Sequence, residues 1–157
     1  MLAQAIKRRL SKEESQKGFT LIELLAVIVI LGIIAVIAIP MIGNIITKSK
    51  ADSDLATARQ IYDAARLYVT AEDNGAFKDA VVTIKGATGT KLGEDLTAKG
   101  YLESSIYLPS NKDLITGGLV TFSNAGVLQS VAIYTTSKPT GDADLTYAGD
   151  VVLKQKK

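Results

Sequence analysis

The 157-residue chain has no cysteine, no histidine and no tryptophan. Without cysteine there is no disulfide framework, no thiolate nucleophile and no thiolate-ligated metal. With histidine missing as well, hydrolytic triads and zinc sites are largely excluded. The carboxylates are spread along helix- and turn-like sequence rather than gathered, so neither an enzyme nor a cofactor is expected. A broad basic surface is lacking too. The formal charge is +2, but residues 1–18 hold Lys7, Arg8, Arg9, Lys12 and Lys17 against Glu13 and Glu14. The other 139 residues hold 13 basic and 14 acidic side chains, which offers no face for nucleic acid. Such a length provides for one small domain plus one long separate element.

What is abundant is apolar sequence near the start: "GFTLIELLAVIVILGIIAVIAIP", Gly18 to Pro40. Residues 24–39 carry no charge, and with Phe19–Ile22 before them and Met41–Ile46 after, the stretch exceeds the roughly 20 residues that a bilayer crossing needs. The single acid, Glu23, stands close to its beginning. Residues 1–18 are short, basic and end in Gly18, the make-up of a targeting leader. The basic cluster before the span puts that end in the cytoplasm and the body outside. Gly32 weakens a soluble helix and Pro40 removes one of its hydrogen bonds, so a kink is expected near Pro40.

From Thr47 the pattern becomes an amphipathic helix, with Ala51, Leu55, Ala58, Tyr62, Ala65 and Val69 on one stripe. Lys48–Asp52, Lys50–Asp54 and Arg59–Asp63 are spaced for ion pairs on its wet face. Arg59 and Arg66 are otherwise expected to be solvated. Asn74-Gly75 ends the helix. If span and stripe are continuous, Phe19 to Glu72 makes 54 residues, about 80 Å at 1.5 Å per residue. Residues 75–116 read as glycine-rich loops with a short helix around Leu92 to Lys99. Two β-type runs flank Ser123-Asn124-Ala125-Gly126 as a hairpin. A third run, "DLTYAGDVVLK", sets Leu145, Tyr147, Val151 and Leu153 on one face. The expected fold class is α+β: a long N-terminal helix packed on an antiparallel sheet of about three strands. The domains are a leader over 1–18, a transmembrane helix over 19–46, which the resemblance described next also makes a filament-core helix, and a head over 47–157 that includes the amphipathic half of the helix.

Gly18-Phe19-Thr20-Leu21-Ile22-Glu23 before an uncharged helix resembles the cleavage and assembly motif of type IV pilins and pseudopilins. The resemblance covers the leader and about the first 30 residues after it. It implies the pilin-like fold and a prepilin in the cytoplasmic membrane. A prepilin peptidase would cut after Gly18 and methylate the new amine of Phe19. The mature chain would then polymerise with copies of itself into an extracellular filament, by way of an assembly platform and separate ATPases. It further implies that Glu23 pairs with the Phe19 amine of a neighbouring subunit, and that the helix melts between Gly32 and Pro40 on assembly. The bland alternatives are an acid hydrated at the bilayer edge, a small residue at an ordinary helix start, and Gly32 as a close-packing position. Lacking the disulfide of many pilins from double-membrane bacteria, the chain fits a pilin of a single-membrane bacterium or a pseudopilin.

Two other functions compete. One is a pseudopilin of a type II secretion or competence DNA-uptake system, barely separable by sequence. The other is an exported or membrane-anchored binding module with Val36-Ile37-Ala38 as a signal peptidase site.

Overall fold

A computed structural model describes residues 19–86, 95–137 and 143–154. The leader and Gly18, the loop residues 87–94, the turn residues 138–142 and the last three lysine- and glutamine-bearing positions lie outside the described residues. Among the described residues the elements are α1 (Leu21–Glu72), β1 (Val81–Thr83), β2 (Ile115–Phe122), β3 (Leu128–Thr135), β4 (Leu145–Ala148) and α2 (Gly149–Leu153). The chain divides into two compact units at Ile45/Ile46.

In the first unit α1 is apolar on every side. It is long and apolar enough to cross a membrane, and its most apolar stretch is unburied. Phe19 is 88% exposed, Leu24 59% and Ile34 55%, so no face of this segment is covered among the described residues. Ile and Val are mediocre helix formers in water, but a lipid environment gives backbone groups no alternative to their own hydrogen bonds. The helix runs on through Gly32 and Pro40.

In the second unit the remainder of α1 is amphipathic and lies on the sheet. Its buried residues are Asp54, Thr57, Ala58, Ile61, Ala64, Ala65, Tyr68 and Val69, stepping by three and four as one helix face requires. This corrects the expected stripe. Ala58, Ala65 and Val69 are buried as expected, but Leu55 and Tyr62 are half-buried at its edge and Ala51 is exposed. Ile61 and Tyr68 form its centre instead, because the largest apolar side chains settle where the sheet covers them fully.

The sheet is antiparallel with order β1-β2-β3-β4, four strands where about three are expected. The added strand is β1, three residues long, whose central Val82 alternates into the core with the flanking Ala80 and Ile84. Flanking glycines and turns hide so short a run in the sequence. β2 and β3 form the expected hairpin, closed by Ser123 N–H to Val127 O (2.8 Å) and Gly126 N–H to Ser123 O (2.9 Å), with Gly126 at φ 74.

The third β-run stops earlier than its alternation implies. After β4 the chain turns at Gly149 into α2, so Val151 and Leu153 are exposed and Val152 is buried. Gly149 makes that turn possible: a Cβ there would stand 1.9 Å from the Leu128 carbonyl oxygen, closer than any side chain can come. The short helix expected around Leu92 to Lys99 is likewise reduced to a single turn over residues 96–100 in its described part. Asp95 closes that turn, its Oδ1 accepting from Thr97 Oγ1 (2.8 Å) and Ala98 N–H (2.6 Å), while Leu96 fills the core.

Candidate assembly site at the start of the apolar helix

Phe19 and Thr20 precede the first turn of α1, and Glu23 sits within that turn. Thr20 and Glu23 form a reciprocal cap. Glu23 Oε2 accepts from Thr20 N–H (2.8 Å) and from the Thr20 hydroxyl (2.8 Å), while Glu23 N–H donates to Thr20 Oγ1 (3.3 Å). That is the capping box in which a Thr and a Glu three residues apart satisfy orphan donors at a helix start. The pattern Thr-x-x-Glu ahead of an apolar run is its signal in the sequence. Glu23 therefore has a task inside its own subunit, and the charge also lies at the favourable end of the helix dipole.

Phe19 projects fully into the surroundings at this end. Gly18, the residue before it, lies outside the described residues. At Gly32 an added Cβ would meet nothing within 4 Å, and the same holds at Gly43. Close packing inside the subunit therefore does not require glycine at position 32. Pro40 offers no N–H to the carbonyl four residues back and leaves one turn of α1 with a bond fewer.

Several polar side chains expected on the wet face of α1 instead fasten the body. Asp54 is 4% exposed and its Oδ1 accepts from Ser110 N–H at 3.0 Å, tying the 106–113 loop to the helix; it is not a surface partner for Lys50. Arg59 turns to the end of the chain, where Nε donates to Val152 O at 2.8 Å and the guanidinium also reaches Lys154 O. These carbonyls stand at the C-terminal end of α2, where the guanidinium supplies donors, and Arg59 is thereby drawn to them rather than to the carboxylate of Asp63. Arg66 lies 5.9 Å from the centre of the Tyr62 ring. Near the end of α1, Glu72 accepts from the Tyr101 hydroxyl (3.2 Å) and pairs with Lys99 (3.5 Å). Sequence spacing detects only partners on the same helix, so these long-range ones escaped it.

Among the described residues no group of three or more His, Cys, Asp or Glu side chains is placed to hold a metal ion. The features that stand out are the capped, wholly exposed apolar helix and the helix-on-sheet body that follows it. Together they define a protein with a membrane-compatible N-terminal helix and an α+β head.

The family described as "Prokaryotic N-terminal methylation motif" matches residues 15–39, the stretch from the end of the leader to just before Pro40. The type IV major alpha-pilin of Moraxella bovis is 32% identical over 118 residues, covering 64% of this chain and 74% of that protein. Fimbrial protein Q of the same organism is 35% identical over 128 residues, 69% of this chain and 80% of its own. A fimbrial protein of Pseudomonas aeruginosa is 32% identical over 130 residues, covering 83% and 74%. No solved structure matches. The chain belongs to the type IV pilin family.

Proposed function

We propose that the chain is a prepilin cleaved after Gly18, methylated on the amine of Phe19 and polymerised with copies of itself into a pilus filament. The observation that carries this reading is the exposure of the apolar segment from Phe19 to Ile46 on every side, next to a folded head. A surface so apolar is stable in lipid or against its own kind, and not in water. The precursor sits in the cytoplasmic membrane with its basic leader inside and its head outside. Its partners are other copies, the prepilin peptidase, and the assembly platform with its ATPases.

Glu23 then has two successive tasks. In the membrane it caps its own helix through Thr20. In the filament its carboxylate attracts the positive Phe19 amine of a neighbouring subunit, and an acid in an apolar core finds that counter-ion only when subunits are in register. Gly32 and Pro40 bound the stretch where the helix loosens as subunits pack. Intact mass of the mature protein tests the reading: a chain starting at methylated Phe19, recovered in sheared surface filaments seen by electron microscopy, is expected. A chain starting at Ile39, or still carrying Met1, would falsify it.

A further inference from the structure

α1 ends at Glu72, and the chain leaves it through Asn74-Gly75. Both residues lie in the left-handed region, Asn74 at φ 49 and Gly75 at φ 77. Asparagine is among the few side chains that tolerate this region and glycine enters it freely, so the backbone by itself calls for these two residue types. Two amides then share one carbonyl: Asp73 N–H donates to Val69 O at 3.1 Å, and Gly75 N–H donates to the same oxygen at 3.0 Å. Ala76 N–H closes on Asp73 O at 2.9 Å, and Phe77 N–H on Gly75 O at 2.9 Å. Val69 is fully buried, so the Gly75 amide is turned onto the end of the helix.

The same dipeptide carries a chemistry that the turn does not need. An asparagine carboxamide is open to attack by the backbone nitrogen of the next residue, and glycine, having no Cβ, hinders that attack least. Asn74-Gly75 is the only such pair in the chain, since Asn44, Asn111 and Asn124 precede Ile, Lys and Ala. The Asn74 side chain is exposed, so its carboxamide is open to water. What the fold withholds is the nucleophile. A peptide nitrogen attacks only after losing its proton, and the Gly75 proton is held by the Val69 carbonyl.

We propose that Asn74 is a site of spontaneous deamidation kept shut by the closed end of α1. When that end opens, the Gly75 nitrogen gives its proton to water or hydroxide and forms a bond to Asn74 Cγ. The Cγ–Nδ2 bond breaks, and the nitrogen leaves as ammonia after taking up a proton. Water then adds to either carbonyl of the resulting succinimide and opens it to aspartate or isoaspartate. Both products oppose reclosure: a third carboxylate joins Glu72 and Asp73 at the C-terminal end of α1, where the helix dipole disfavours negative charge, and isoaspartate adds a carbon to the main chain. One opening thus leaves a lasting mark. The site belongs to the head, so its failure would leave the reading of the filament intact.

The test uses the full chain in micelles of dodecylphosphocholine in mildly alkaline buffer, without guanidinium chloride and across a series of concentrations up to complete unfolding of the head. Mass spectrometry of tryptic peptides follows conversion at each asparagine, and deuterium exchange follows the Gly75 amide. In the unfolded chain Asn74 should convert faster than Asn44, Asn111 and Asn124. In the folded chain it should convert at least about tenfold more slowly, because the reaction waits for a local opening. Below the unfolding midpoint, conversion at Asn74 and exchange at Gly75 should rise in proportion. Asn74→Asp, one of the two products, should speed exchange at Gly75 about two- to fivefold, the effect of one charge at a helix end. Equal conversion in folded and unfolded chains overturns the proposal, as does conversion at Asn74 no faster than at the other asparagines once unfolded. Conversion that stays level while Gly75 exchange rises, or N74D exchanging no faster than the unaltered chain, overturns it too.

Discussion

From Leu24 to Ile39 every side chain of α1 is apolar or glycine, and apart from the half-buried Ala35 and Ala38 all are exposed. From Asp54 to Val69 the same helix buries eight residues on one face and keeps Arg59, Asp63 and Arg66 off it. Both halves are helical, so secondary structure is not what separates them. The second half is held by the sheet that covers it, with Ile61 and Ala65 at 0% exposure; the first has no cover among the described residues. Stability of the head is therefore an intramolecular matter, and that of the apolar segment depends on what surrounds it. A change in one half should leave the other nearly untouched.

The sharpest way to break that division lies at Glu23. Glu23→Ala removes both the cap and the charge, and if Glu23 pairs in the filament as proposed, loss of one partner from a buried ion pair is worth about 3–5 kcal/mol. Filament yield should fall about a hundredfold, with cleavage after Gly18 and the melting of the head unchanged. Glu23→Gln keeps an oxygen for Thr20 and loses only the charge, so counts of sheared filaments from cells holding only this form separate the two tasks. Near-normal yield with Gln would assign Glu23 to capping alone.

On the other side of the comparison, Ile61→Ala opens a cavity under the sheet and should cost the head about 2–5 kcal/mol. Ile34→Ala, at an exposed site of the same helix, should cost the head nothing measurable. Denaturant unfolding followed by tyrosine fluorescence in micelles reads both, and equal losses would refute the division into two units.

A smaller effect is expected at Arg59. Replacing it by Met keeps much of the stem but abandons the Val152 and Lys154 carbonyls, at a cost of about 1–3 kcal/mol. Hydrogen exchange should show faster opening of α2 and β4 than of β2. Uniform acceleration across the head would argue against a local clasp.

Smallest is a pH effect at Asp95. Burial alone would raise its pKa, but the Ala98 and Gly86 amides and the Thr97 hydroxyl outweigh burial and hold it below the ordinary carboxylate value. A depressed folded pKa contributes stability that is present above the unfolded value and is lost as pH falls through the folded one. Acidification below the ordinary carboxylate range should loosen the 95–100 turn, seen as faster exchange at Ala98, and Asp95→Asn should abolish that dependence. Persistence of the acid effect in the Asn form would place its origin elsewhere.

Much of the plan was readable in the chain. The span, the amphipathic continuation and the β2–β3 hairpin follow from hydropathy, period and turn residues, which are local properties. Phe19 and Glu23 were conspicuous because the one acid in an otherwise uncharged run stands four positions after an aromatic. β1 was not readable, because three strand residues lack enough alternation to register. The ending of β4 was hidden because Val151 and Leu153 continue the period of two past the point where Gly149 meets Leu128. Asp54 and Arg59 were misplaced on the wet face for the same reason: their partners, Ser110 and Val152, are distant in sequence.

The sequence by itself determined that the apolar run forms a helix unable to remain in water, that a charge stands at its start, and that an antiparallel sheet follows an amphipathic helix. Each depends on neighbours within a few turns or strand residues. Only the tertiary structure decided which residues centre the stripe, that Thr20 and Glu23 satisfy each other, where the last strand yields to a helix, and that the Gly75 amide closes on the Val69 carbonyl. Those outcomes rest on atoms brought within about 3 Å by the fold, where steric contact and hydrogen bonding outweigh any local preference.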